Sequence, residues 1–174
     1  LPHDAKAGPT KPEVRSVTLG KLDLDEGDHF TEVGSCTGAV TIEAARQAGH
    51  VTAIERKPER LETTRENLAA NGVEGVELIE SEAPEGIPND ANVLFIGGSR
   101  NYPEVLDRAA EIEIDRVVMN VSRLEVAGDA VRAFRERELF EEVVQVQVST
   151  GYELAGATSF DSENPVYVIS GGAA

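Results

Sequence analysis

Cysteine, tryptophan and lysine are almost missing from this chain. Its 174 residues hold one cysteine (Cys36), no tryptophan, and lysine only at positions 6, 11, 21 and 57. One cysteine excludes an intrachain disulfide scaffold, and His3, His29 and His50 show no metal-ligand spacing, which argues against a zinc module. No apolar run exceeds a few residues, so nothing in the sequence reads as a bilayer span. The first residues, Leu1-Pro2-His3-Asp4, lack the basic and then apolar regions of a secretory signal. A cytoplasmic location without a membrane partner or a metal is the expectation.

Positive charge is the next scarcity. Sixteen Lys and Arg stand against 32 Asp and Glu, a formal charge of −16. The acids are spread along the whole chain, and with 40% hydrophobic residues the length suffices for a real core. At about 1 M salt the Debye length is only about 3 Å, so carboxylate self-repulsion is largely screened. The composition suits a cytoplasmic protein working in concentrated salt; an ordinary acidic enzyme is the plainer alternative. The charge also argues against a nucleic-acid partner, with less force if the surroundings are that saline.

The polar residues 1–10, with two prolines, read as an arm on a single domain spanning 1–174. A helix is expected over 11–21, with Pro12 in its first turn. Strands and helices then alternate: strand 29–33, helix 39–48 closed by Gly49, strand 51–55, helix 58–71, strands 76–80 and 92–96, helix 103–112, strand 116–121, helix 124–137. The end differs, with strand 142–149, a loop, and a closing strand 165–170 without a helix between them. Such alternation predicts a doubly wound α/β fold, and the final pair adds one antiparallel strand. A seven-stranded sheet of this kind is the usual Rossmann-like core of class I S-adenosylmethionine (SAM) methyltransferases.

The chemistry-bearing residues sit where strands end. Glu32-Val33-Gly34-Ser35-Cys36-Thr37-Gly38 leaves the first strand and enters a helix, the place where open α/β sheets bind ligands. Gly34 and Gly38 permit a tight turn and close backbone approach, and the helix aims free N–H groups at the ligand. The spacing is G-x-x-x-G, with the acid Glu32 two residues earlier, which favours SAM over a dinucleotide. Alone, such a loop is equally a plain strand-to-helix turn. Glu55, 55 − 34 = 21 residues after Gly34, ends the next strand, where a carboxylate accepts both ribose hydroxyls. Glu82 and Ala83 follow the third strand, where adenine is usually held, although a plain loop reads as well. Gly97, Gly98 and Ser99 end the fourth strand and either make room for substrate or form a turn. Methyl transfer from a sulfonium demands mainly alignment, and no acid–base pair stands out. Cys36 reads as a small residue lining the cofactor site rather than a covalent nucleophile.

From Gly8 to about Ile169 the chain resembles the decarboxylating precorrin/cobalt-precorrin carbon-15 methyltransferases of cobalamin biosynthesis, the CbiT type. The most specific segment is Gly8-Pro9-Thr10-Lys11-Pro12-Glu13-Val14-Arg15. V-G-x-x-T-G-x-V-T at Val33 to Thr41, A-I-E-R-x-P-E at Ala53 to Glu59, A-P-E at Ala83 to Glu85, G-G-S at Gly97 to Ser99 and N-P-V at Asn164 to Val166 follow in order. Where that family's loop usually reads D-V-G-C-G-T-G, this chain has Glu32 for the Asp and Cys36 for the middle glycine. The family's Gly-Asp before Ala-Pro-Glu becomes Ser81-Glu82, and Arg100 and Asn101 follow Gly-Gly-Ser. The resemblance implies methylation of ring carbon 15 and loss of carbon dioxide from an acetate side chain. It implies SAM contacts at Thr10, the Gly34–Gly38 loop (Gly34, Ser35, Cys36, Thr37, Gly38), Glu55 and Ala83, and a homotetramer. A tetrapyrrole polycarboxylate needs local cations, for which Lys11, Arg15 and Arg100 are candidates; Arg123 reads better as a solvated charge. The rival readings are a small tRNA or protein methyltransferase and a SAM-binding subunit without turnover.

Overall fold

The computed structural model describes residues 10–174. The arm at 1–10 therefore lies, apart from Thr10, outside the described residues. The elements run α1 Pro12–Leu22, β1 His29–Val33, α2 Ala39–Ala44, β2 His50–Glu55, α3 Pro58–Ala70, β3 Glu77–Glu80, β4 Val93–Ile96, α4 Tyr102–Glu111, β5 Arg116–Val121, α5 Leu124–Glu136, β6 Phe140–Val146, β7 Ser149–Leu154, β8 Ala157–Ser162 and β9 Val166–Gly171.

Seven strands form one sheet in the order β3-β2-β1-β4-β5-β9-β6. All pairs are parallel except those of β9, which runs antiparallel to β5 (Met119 opposite Ile169) and to β6 (Val143 opposite Ile169). The expected single reversed strand is β9, inserted between β5 and β6. Strand order reverses between β1 and β4, which opens a crevice beyond their carboxyl ends.

Both faces of the sheet are buried, and the pleat assigns alternate residues to each. On β4, Leu94 and Ile96 pack with Val105, Leu106 and Ala109 of α4 and Ala130 and Phe134 of α5. Val93 and Phe95 face the other way, toward Leu22 of α1 and Val40 and Ala44 of α2. Val117 and Met119 against Val118 repeat the division on β5. The opposite end of the central strands, away from the crevice, is laced by polar groups. Asp28 accepts from Arg116 Nη2 (2.5 Å), Asn92 Nδ2 (2.8 Å) and Asp25 N (2.9 Å).

Two expectations are corrected. Helix α2 ends at Ala44, not 48, because the next turns tighten: Gln47 and Ala48 N–H both bond to Ala44 O (2.9 and 2.8 Å). The expected loop before the last strand is the β7–β8 hairpin. Its two-residue turn, Ala155-Gly156, has φ of 51° and 77°, positive at both positions as a type I′ turn requires. Ala-Gly is a weak turn signal beside Asn-Gly, and Ser149–Ser162 carries little apolar alternation, so the hairpin left no clear pattern. The preceding strand accordingly stops at Val146 instead of continuing to 149.

Gly49 is glycine because the chain passes the backbone there: a Cβ would meet Glu26 O at 2.1 Å. Gly49→Ala should therefore destabilise the fold by about 1–3 kcal/mol. Gly128→Ala, at an exposed position of helix α5 with nothing within 4 Å of the new Cβ, should stabilise it by about 0.5–1 kcal/mol. Denaturant midpoints in molar salt read both, and shifts of the same sign would contradict the assignment.

Candidate functional site

The crevice at the β1/β4 reversal is a cavity of about 240 Å³. Val33 and Gly34 at the end of β1, Ile54 and Glu55 at the end of β2, and Gly97 and Gly98 after β4 form its floor. Gly97 packs tightly there: its N–H donates to Val33 O at 2.9 Å, and a Cβ would stand 3.1 Å from Gly34 O. Gly34 and Gly98 have nothing within 4 Å of a built Cβ, so their bare backbone faces open space.

The loop after β1 takes its shape from positive φ at alternate residues: Gly34 (81°), Cys36 (54°) and Gly38 (77°). Position 36 thus has a backbone that suits glycine, and Cys36 holds it with help from α3. Thr64 Oγ1 donates to Cys36 O (3.1 Å), and Asn67 Nδ2 donates to Thr37 O (2.8 Å). Ser35 Oγ and Thr64 Oγ1 stand 3.0 Å apart. Glu55 ties the two loops together. Its Oε1 accepts Lys57 N–H at 3.0 Å and its Oε2 accepts Cys36 N–H at 3.3 Å, leaving lone pairs toward the cavity it lines.

Glu82 and Ala83 form the wall after β3. Glu82 pairs with Arg100 and accepts Asn101 Nδ2 at 3.2 Å, and the Arg100 hydrogen bond holds its carboxyl below the ordinary range. Burial pushes the Cys36 thiol up, against the pull of Arg60, so it stands in the wall as a neutral thiol. Glu32 does not line the cavity. It is buried behind the loop with Thr41 Oγ1 donating to it, and burial raises its pKa to about 8, opposed by the Thr41 bonds and aided by the Glu55 charge.

Of the residues singled out in the sequence, Gly34, Cys36, Glu55, Glu82, Ala83, Gly97, Gly98 and Arg100 converge on this cavity. Ser35, Thr37 and Gly38 shape the loop from behind, and Ser99 stands outside the lining. Arg56, Arg60 and Asn101 also line it; Arg56 was noted only within the Ala53–Glu59 motif and Asn101 only as a departure, neither as a site residue, and Arg60 was not noted. Thr10 and Lys11 lie elsewhere, in a second cavity of about 310 Å³ with Asn120, Val121 and Ser122 at the end of β5, and Val146 and Glu163. Arg15 holds the arm, its Nη1 donating to Thr10 O at 3.1 Å. Arg123 is exposed at the start of α5. Because β4 and β5 are neighbours, with Ile96 opposite Met119, the two cavities open at adjacent strand ends. Among the described residues no group of three His, Cys, Asp or Glu could hold a metal, and no helix is long and apolar enough to cross a membrane.

The cavity fits SAM on its own chemistry: a carboxylate beside open glycine backbone for the ribose, and Val33, Ile54 and Ala83 for apolar surface. Sheet order, the reversed strand and this crevice define the fold of a class I SAM-dependent methyltransferase. Residues 3–171 match the model of the precorrin methyltransferase domain, and the chain belongs to that family. It is 71% identical, over 99% of its length and 93% of the relative's, to a protein of Halobacterium salinarum named "probable cobalt-precorrin-6B C(15)-methyltransferase (decarboxylating)". The crystal structure of precorrin 8W decarboxylase from Methanobacterium thermoautotrophicum superposes with a TM-score of 0.88 at 30% identity, over 95% of this chain and 92% of that one. That of precorrin-6Y C5,15-methyltransferase from Geobacter metallireducens gives 0.88 at 34%, over 97% and 93%.

Glu32 gives the site a pH signature. Its folded pKa lies above the ordinary 4.5, so the stability it contributes is full below about pH 4.5 and is lost as pH rises through about 8. Glu32→Gln is neutral throughout. The variant's thermal midpoint should therefore gain on the wild type between pH 6 and pH 9 in molar salt, and a constant difference would contradict the assignment.

Proposed function

We propose that the protein catalyses SAM-dependent methylation of cobalt-precorrin-6B, or its cobalt-free analogue, at ring carbon 15 with decarboxylation of an acetate side chain, in cobalamin biosynthesis. The observation that carries this reading is the convergence of Gly34 and Glu55 on one crevice beside a second, valine-walled cavity, in a chain of this family. The relatives' names supply the reaction. A tRNA substrate would call for a basic surface, which a chain at −16 does not favour.

SAM, when bound, supplies an already activated methyl group. Glu55 would accept the ribose hydroxyls on the lone pairs that the Cys36 and Lys57 N–H groups leave free. Gly34 and Gly98 would admit the ligand against bare backbone, Ala83 and Ile54 would flank the adenine, and Glu82 would hold the wall through Arg100. Ser35, Thr37 and Gly38 act by keeping the loop in shape, and Thr10 of the arm closes the neighbouring cavity. That second cavity, with walls of Val14, Val121, Val146 and Val166 and the polar groups Lys11, Asn120 and Ser122, receives an edge of the macrocycle. Gly97 and Gly98, in the floor of the first cavity, would leave the reacting atoms room to approach, with Ser99 just outside the lining. Alignment across these adjacent strand ends is the protein's main contribution.

The fold, the acidic composition and the biosynthetic family support a single-domain cytoplasmic enzyme of a salt-rich cell. A homotetramer is proposed on the resemblance. The β7–β8 hairpin supports association: two strands alone are marginal in water, and Tyr152, Leu154 and Phe160 are 47%, 56% and 65% exposed on it.

Calorimetric titration with S-adenosylhomocysteine in molar salt tests the cofactor, and incubation of protein, labelled SAM and the corrinoid tests the reaction. Glu55→Ala should weaken nucleoside binding about 100-fold, the loss of two hydrogen bonds to a charged acceptor; unchanged affinity would remove the ribose assignment. Methylated, decarboxylated product supports the enzyme, whereas binding without turnover would instead mark a SAM-binding subunit. Light scattering should give four chains for the wild type and fewer for Phe160→Glu.

A further inference from the structure

The second cavity contains a charge pairing that methyl transfer alone does not call for. Among its described lining residues Lys11 is the one cation and Glu163 the one anion, and the two are ion-paired. Lys11 is the N-cap residue of α1. Glu163 directly follows β8, with its N–H bonded to Val148 O at 2.9 Å. The pair thus links the start of α1 to the base of the hairpin across the cavity's edge.

Two physical facts make this pair exchangeable. The side chains are 48% and 46% exposed, and ion pairs that wet hold weakly, because water screens them and two long side chains must give up freedom. Val14, Val121, Val146, Val148 and Val166 make the rest of the wall largely apolar. A carboxylate carried on a ligand that displaces water from this wall would meet Lys11 in a drier setting, where the attraction is stronger. Glu163 meanwhile cancels the one positive charge among the chamber's described lining residues and repels every incoming anion.

We propose that Glu163 is a resident competitor for Lys11: a peripheral carboxylate of the tetrapyrrole displaces it and takes the ammonium group, so that the pair selects polycarboxylate ligands with an acid placed at this edge. The proposal rests on the corrinoid reading above and deepens it. A neutral ring, or one whose acids point elsewhere, leaves Glu163 on Lys11 and gains nothing to offset its charge.

The test uses the full chain saturated with S-adenosylhomocysteine in molar salt, with uroporphyrin, a flat tetrapyrrole polycarboxylate, as the probe. Glu163→Gln should lower the probe's dissociation constant about three- to tenfold, and Lys11→Gln should raise it by a similar factor. In the double variant the gain from Glu163→Gln should shrink, because much of it acts through Lys11. The S-adenosylhomocysteine affinity of each variant reports an intact fold. Binding by Glu163→Gln equal to or weaker than wild type, in a variant that still binds the nucleoside, would overturn the proposal. Failure of the proposed activity would appear separately, as absent turnover of the corrinoid by the wild type, and would leave the ratio of the probe constants untouched.

Discussion

The carboxylate of Glu55 is the point on which the site depends. It ends β2, one strand from the place where the sheet order reverses, and it is bonded by backbone N–H groups from two different loops: Cys36 after β1 and Lys57 before α3. Those two bonds set the spacing of the loops that border the crevice. The positive φ at 34, 36 and 38, the Thr64 and Asn67 bonds from α3, and the close passage of Gly97 against Gly34 complete the same arrangement from the other sides. A carboxylate so placed serves as a structural tie and still presents lone pairs to the crevice.

The two ends of the sheet contrast in how their polar groups are used. At the far end Asp28 is saturated by Arg116, Asn92 and the Asp25 backbone, which secures β1, β4 and β5. At the crevice the polar groups are only partly used, and cations gather there despite the −16 of the whole chain: Arg56, Arg60 and Arg100 around the first cavity and Lys11 at the second. Around the first cavity these three guanidinium groups outnumber Glu55 and Glu82, a local reversal of the chain's sign, while at the second cavity Glu163 balances Lys11. Glu32 fits the same logic, since burial keeps it protonated at neutral pH and withholds one negative charge from the neighbourhood of Glu55.

The core of the fold was legible because its signals are local. Proline at the starts of α1, α3 and α4, glycine at 49 and 72 beyond α2 and α3, and short apolar strands between them place the parallel elements to within a few residues. Gly34 and Glu55 could be paired from spacing because the strand–loop–helix unit between them has a nearly constant length. What escaped depends on contacts distant in sequence. Arg60 reaches the cavity only because α3 packs beside the first loop, and nothing at position 60 announces that; Arg56, in the Ala53–Glu59 motif, lines it simply by following Glu55 at the end of β2. Glu32 read as the acid that marks a SAM loop, yet it bonds to Thr41 on α2 and lies buried behind the loop. Thr10 read by resemblance as a cofactor contact and Lys11 as a candidate cation for the tetrapyrrole; both stand beside the end of β5, in the second cavity, where the start of α1 places them. The β7–β8 strands are almost wholly exposed, and without a buried face they leave no alternation to find.

A crystal structure of the protein with S-adenosylhomocysteine in molar salt addresses the central claim most directly. The ribose hydroxyls should lie within hydrogen-bond distance of both Glu55 oxygens, with the nucleoside running between the 34–38 loop and Ala83. Density for the nucleoside elsewhere, or a crevice filled by the side chains of Cys36 and Arg60 with Glu55 turned away, would contradict the account.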